Sequence, residues 1–266
     1  MSEILNDITN SVLSILVVDD DELNQRMMKL LLKREGHLVE CASNGLEAFN
    51  AVKSKSYDII LMDLQMPVMD GVDASRHIRA WESGERHTFI VALTATFLPE
   101  KGRELFEAGM DNYIAKPFDV DHLRNILQVS LEKRKSDHDA DSENPEGDSP
   151  SVDPDFDYRV GIQRVGGDAE TYKELLSDFI DELPDKLENL WRCYRNNDMD
   201  GLNRAAHNLK GVSANLGALH LSEHARRLEK QVGEGYTETV EGILNEISTV
   251  LGKFRKKALD FIGNGE

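Results

Sequence analysis

The chain has 266 residues, enough for two domains of ordinary size, with 40% hydrophobic and 30% charged residues. Its formal net charge of −18 excludes a general nucleic-acid binder, which needs a basic face to displace counterions. No apolar run approaches the ~20 residues of a membrane helix, and the N-terminus lacks the basic start and apolar core of a secretory signal. Cys41 and Cys193 fall in different halves, so no disulfide framework is implied and the cytoplasm is the expected compartment.

Residues 1–13 read as an N-terminal tail. From Ser14 onward, short apolar runs alternate with amphipathic stretches. Ile15-Leu16-Val17-Val18 reads as a buried strand, and residues 22–34 as a helix with Leu23, Met27, Leu30 and Leu31 on one side. Residues 38–41 form a second strand, followed by a helix that starts at Asn44 and buries Leu46, Ala48 and Val52. Strands are expected at 58–62, 89–93 and 112–115, with helices near 71–81, 99–107 and 120–133. Strands separated by helices pair in parallel through right-handed crossovers. Residues 14–135 should therefore form a doubly wound α/β domain on a five-stranded parallel sheet.

Residues 136–156 differ in kind. They are rich in Asp and Glu, interrupted by Pro145, Pro150 and Pro154, and contain no Lys or Arg. Such a segment buries too little apolar surface to offset its chain entropy and reads as an acidic flexible linker. About 20 flexible residues span on the order of 25 Å r.m.s.. Over 157–266 the strand signals vanish. Asp168 can cap a long helix carrying Tyr172, Leu175, Leu176, Phe179, Leu183, Leu187, Leu190 and Trp191, with a kink expected at Pro184. Further helices span about 199–216, 218–232 and 236–262, punctuated by Gly217, Gly233 and Gly235. An antiparallel four-helix bundle is the expected architecture.

Four segments of the first domain place polar residues just after an apolar strand: Asp19 with Asp20, then Asp63, Thr94 and Lys116. In an open parallel sheet, function gathers beyond the carboxyl ends of the strands, so these residues should converge. Asp20 and Asp63 offer hard oxygen ligands for Mg²⁺, with Asp19 acting through water. Asp63 then suits in-line attack on a phosphoryl group, Lys116 a charge for one phosphoryl oxygen, and the Thr94 hydroxyl a hydrogen bond to another. Asp21 is left to cap the helix at 22–34.

These residues carry a resemblance. Ile15 to Asp21, Asp63 with Met66-Pro67-Val68-Met69-Asp70-Gly71, Ala92-Leu93-Thr94-Ala95, and Tyr113-Ile114-Ala115-Lys116-Pro117-Phe118 resemble a response-regulator receiver domain of the flavodoxin-like fold. The resemblance implies that Asp63 is the phosphoacceptor and Asp19 and Asp20 the acidic pair. It also implies the Gln65 backbone carbonyl as a third metal ligand, and Thr94 and Tyr113 as a switch pair that remodels the face built from the last two helices and the fifth strand.

In the second domain His207 lies on a helix whose apolar stripe is Leu202, Ala205, Leu209, Val212 and Leu216. At 3.6 residues per turn the imidazole projects roughly opposite that stripe and is expected to be exposed. Gly211 and Ala214 share its face and leave room for a docking protein, and Lys210 can reach phosphate held on the ring. Ala206-His207-Asn208-Leu209-Lys210-Gly211-Val212-Ser213-Ala214-Asn215-Leu216-Gly217 resembles the signature of histidine phosphotransfer domains, which implies that His207 is a second phosphoacceptor. His220-Leu221-Ser222-Glu223-His224 also matches a zinc-protease spacing, without the surrounding fold of one.

The combined expectation is a two-component phosphorelay protein. A sensor histidine kinase or other phosphohistidine donor would supply Asp63, and His207 would exchange phosphate with a receiver aspartate. That aspartate belongs either to a downstream response regulator or to this chain, since the linker permits an internal encounter. No ATP-binding kinase segment is recognisable, and no nucleic-acid or membrane partner is expected. The competing readings are an interaction module switched through Asp63 alone, and the C-terminal portion of a hybrid sensor kinase.

Overall fold

Five strands form one parallel sheet in the order β2-β1-β3-β4-β5. They are β1 Ser14–Val18, β2 Leu38–Ala42, β3 Ile59–Asp63, β4 Phe89–Thr94 and β5 Asn112–Ala115. The computed structural model describes residues 12–83, 86–94, 99–116, 120–133, 155–236 and 238–263. The chain divides into two compact units, residues 1–151 and 152–266. The expected linker residues 136–154 and the tail residues 1–11 lie outside the described residues.

β3 and β4 are buried at every position. Strands covered on both faces read as continuous apolar runs rather than alternating ones. The covering helices are α1 Glu22–Arg34, α2 Gly45–Ser54, α3 Gly71–Glu82, α4 Pro99–Glu107 and α5 Val120–Lys133. Their starts follow the polar caps: Asp21 accepts from the Leu23 and Asn24 amides, Asn44 from Glu47, and Asp70 from Asp73. β3 sits one residue later than expected, and β4 starts where expected but ends one residue later. The Asp58 carboxylate turns aside to take the Ser14 N–H at 2.7 Å, while Asp63 pairs with Leu93. β3 therefore ends on Asp63 itself, and β4 likewise ends on Thr94.

The second unit is helical throughout its described residues. A short helix missing from the sequence reading, α6 Tyr158–Arg164, precedes α7 Ala169–Arg195, α8 Met199–Asn215, α9 Leu219–Gly233 and α10 Val240–Gly263. α7 runs through Pro184 without a break. Tyr172, Phe179 and Phe254 are among the largest fully buried side chains. The acidic linker was expected to reach residue 156, but Asp155 and Phe156 belong to this unit. Phe156 is buried, with its ring 5.5 Å from Phe254 and 5.8 Å from Phe261. Asp155 bonds His220 at 2.9 Å and Lys257 at 3.0 Å. An aromatic ring next to the acidic run had an apolar surface to cover, and His220 of α9 and Lys257 of α10 fixed the acid beside it.

Two carbonyls at the end of α8 are satisfied by side chains from its neighbours. Tyr172 Oη donates to Leu216 O at 2.8 Å, and Arg164 donates to Ala214 O. Gly217 follows with φ +76°, the left-handed conformation that glycine adopts without penalty. A Cβ there would stand 2.1 Å from Asp157 O. The turn between α8 and α9 is thus pressed against the start of α6.

Candidate functional site

Val18 lies beside Met62 in the sheet, so the next residues, Asp19 and Asp63, emerge together from neighbouring strands. The carboxylate oxygens of Asp19, Asp20 and Asp63 lie within 4.8 Å of one another. They form the one group among the described residues that could hold a metal ion. Asp63 is 1% exposed and Asp19 2%. Lys116, immediately after β5, places Nζ 2.8 Å from Asp19 Oδ2 and 2.7 Å from Asp63 Oδ2. Its backbone N–H donates to Thr94 O at 2.5 Å, which fixes the end of β5 to the end of β4.

Burial dominates the electrostatics. It pushes the Asp19 carboxyl above the usual range, with Lys116 opposing and the Asp63 charge adding to the rise. Burial also works against the charge on Lys116. Asp19 and Asp63 together outweigh it and hold the amine above its ordinary value. A lysine between two carboxylates therefore stays cationic while leaving the three-acid cluster net negative, a site that fits a hard cation and a phosphoryl group.

Asn24 and Gln25 were missed in the sequence. Asn24 Nδ2 donates to Asp19 Oδ1 at 3.2 Å, and Gln25 Nε2 to Asp19 O at 2.7 Å. Both come from the first turn of α1, and their available signal was amide side chains directly after the acidic triplet. Gln65 is exposed, and its N–H lies 3.5 Å from Asp63 Oδ1. Beyond it, the Met69 N–H donates to Pro67 O at 2.8 Å around Val68 at φ 70°, a tight turn strained for a β-branched residue. A Cβ on Gly71 would stand 2.2 Å from Asp63 O. Thr94 is buried at the end of β4, and Tyr113 is half-buried against the sheet core.

The histidine expectation needs correction: His207 is not exposed. It is 5% exposed because α9 packs along the flank of α8 that the apolar stripe left open. Glu229 on α9, also missed, holds His207 Nδ1 at 2.7 Å and Lys210 Nζ at 2.5 Å. Lys210 Nζ lies 3.4 Å from His207 Nδ1. Asn203 Nδ2 secures the Glu229 carbonyl at 2.9 Å. Ala214 and Gly211 are buried as well, although a Cβ on Gly211 would meet nothing within 4 Å. The zinc-spaced pair does not converge on a metal: His220 Nδ1 bonds Asp155, and His224 Nδ1 bonds the His220 carbonyl.

Burial tends to raise the Glu229 carboxyl, but His207 and Lys210 outweigh it and hold the group below the usual range. A depressed acid stabilises the fold above its unfolded value, near 4.3 for glutamate, and that contribution is lost as pH falls through and below it. Acid denaturation of Glu229→Gln should therefore be shallower in this window than that of the wild type. Superimposable curves would show that the Glu229 charge contributes nothing to the fold.

Residues 15–128 match the family model of the response regulator receiver domain, and residues 174–253 that of the Hpt domain. The chain therefore joins a receiver domain to an Hpt domain, the two domain classes of a two-component phosphorelay. It is 30% identical over 250 residues to the sensor histidine kinase GacS of Pseudomonas protegens, covering 92% of this chain and 27% of that protein. It is 26% identical over 262 residues to the signal transduction histidine-protein kinase BarA of Escherichia coli K12, covering 97% and 28%. The chain thus spans about a quarter of the length of these curated relatives. Among solved structures, the receiver domain of sensor histidine kinase PA1611 from Pseudomonas aeruginosa PAO1, with magnesium coordinated in its active-site cleft, is 38% identical. That match has a TM-score of 0.42 and covers 46% of this chain and 99% of that domain. No helix among the described residues is long and apolar enough to cross a membrane.

Proposed function

We propose that the chain carries phosphoryl groups on two acceptors, Asp63 and His207. At the first, an Asp63 carboxylate oxygen attacks the phosphorus of a phosphohistidine donor in line. An O–P bond forms, the N–P bond breaks, and the donor imidazole leaves with its electron pair. Lys116 and the Thr94 hydroxyl bind the transferring oxygens. Asp19, Asp20, Asp63 and the Gln65 carbonyl would hold Mg²⁺, which when bound offsets the negative charge gathered between carboxylates and phosphoryl oxygens. Thr94 moving toward the phosphoryl group, with Tyr113 following, would reshape the face of α4, β5 and α5.

At the second acceptor, the Glu229 carboxylate holds a proton on His207 Nδ1, which leaves the Nε2 lone pair free to attack. Nε2 attacks the phosphorus of an aspartyl phosphate, and the acyl-phosphate O–P bond breaks to release a carboxylate. Lys210 supplies positive charge beside the ring. The partners are a phosphohistidine donor such as a sensor kinase and a receiver domain that meets His207, either in this chain or in a downstream regulator.

The observation that carries this reading is the Lys116 ammonium lying between Asp19 and Asp63, beside Asp20, in a domain that matches the receiver family. The test is labelling from a phosphorylated kinase. Asp63→Asn should lose the base-labile aspartyl phosphate and His207→Gln the acid-labile phosphohistidine. A double variant that labels like wild type would sink the proposal.

A further inference from the structure

The His207 site is short of positive charge for the group it is proposed to carry. Lys210 is shared with Glu229 at 2.5 Å, which offsets part of its charge. A phosphoryl group adds about −2 near neutral pH. The receiver site that must approach brings three carboxylates against one buried ammonium.

The α9 face that flanks His207 carries a further cation. Ser222 Oγ donates to Lys210 O at 2.9 Å, and Glu229 holds both Lys210 Nζ and His207 Nδ1. Arg226 lies between these two anchors on α9, four residues after Ser222 and three before Glu229. Residues at that spacing share one helical face, which places Arg226 on the side of α9 that carries Ser222 and Glu229, one turn before Glu229. The neighbouring cations point elsewhere. Arg227 pairs with Glu246 of α10 at 2.7 Å, and Arg204 of α8 lies near Cys193 of α7.

The Arg226 side chain is 60% exposed and is held by Glu223 through two hydrogen bonds of 2.8 and 2.7 Å. An exposed pair of this kind contributes little to stability and exchanges readily. The fork that binds a carboxylate with two parallel hydrogen bonds binds two phosphoryl oxygens equally well. We infer that Arg226 is the second cation of the His207 site, leaving Glu223 to grip the phosphoryl group as it passes between His207 and a receiver aspartate. Glu223 is then a competitor that holds Arg226 ready and weakens its grip. This inference rests on the reading of His207 as a phosphoacceptor.

Two versions of the 266-residue chain test it. The donor carries His207→Gln and is labelled at Asp63 with acetyl phosphate; the acceptor carries Asp63→Asn and receives label on His207. With donor below saturation, Arg226→Ala in the acceptor should slow transfer at least about tenfold, the scale of one charge-assisted hydrogen bond. Arg226→Lys should recover part of the rate, and Glu223→Gln should raise it above that of the unmodified acceptor. The opposite signs are diagnostic, because a helix-stabilising role would make both partners' removal act alike. Normal transfer by Arg226→Ala overturns the assignment and leaves His207 as acceptor. Absence of label on an acceptor with Arg226 intact overturns the reading of His207 toward this receiver, and the assignment with it.

Discussion

Lys116→Met is expected to destabilise the receiver domain by about 3–5 kcal/mol, the scale for removing one partner of a buried ion pair. Nζ lies within 2.8 Å of two carboxylates that are almost fully buried. Without it Asp19 and Asp63 face each other and Asp20 across less than 4.8 Å, and burial already disfavours the Asp19 charge. Methionine fills the space, so the loss is electrostatic rather than a cavity. Urea denaturation should show the receiver transition moving to lower denaturant. Millimolar Mg²⁺ should restore more stability to the variant than it adds to wild type, because a cation bound among the acids replaces the missing charge. An Asp63→Asn change added to Lys116→Met should also recover part of the loss. A midpoint equal to that of wild type would show that the three acids do not share their charge in the folded state.

Gly217→Ala should destabilise the helical unit by an amount of similar size while leaving the receiver transition in place. A left-handed backbone costs a residue with a Cβ about 1–2 kcal/mol. The new methyl carbon would also stand 2.1 Å from Asp157 O, an overpacking worth a further ~1–3 kcal/mol. The damage should spread, because the Asp157 N–H donates to Gly217 O at 2.9 Å and Asp157 caps α6. Trp81 lies in the first unit and Trp191 in the second. Fluorescence of single-tryptophan versions can therefore follow each unfolding step separately. Equal shifts of both transitions would show that the damage is not confined to the helical unit.

How much of this was legible beforehand depended on the range of the interactions. The limits of α1, β5, α4 and α5 follow from local cues, because a cap, an apolar period and a breaker act within a few residues. α6 escaped notice because seven residues with Gly161 inside give no usable period. It is held instead by Asp157 and by the ring of Tyr172, against which Gly161 packs too closely for a side chain. The acidic site was readable because parallel topology sends every strand end to the same edge. Asp19, Asp20, Asp63, Thr94 and Lys116 needed only to follow their strands. The burial of His207 was not readable. A helical wheel shows the stripe of its own helix, but not which neighbour covers the flank. The partnership with Glu229 depends on the register of α9 against α8, 22 residues away, and no local pattern encodes that offset.

The place of Phe156 and Asp155 bears on how this protein can be taken apart. Phe156 closes one end of the helical core against Phe254 and Phe261, and Asp155 ties it down through His220 and Lys257. A helical fragment cut where the acidic composition stops, at residue 157, would lose that plug and expose the rings beneath it. A fragment begun at or before Asp155 keeps both. A truncated phosphotransfer domain intended for work in isolation would therefore succeed or aggregate on two residues that look, by composition, like linker.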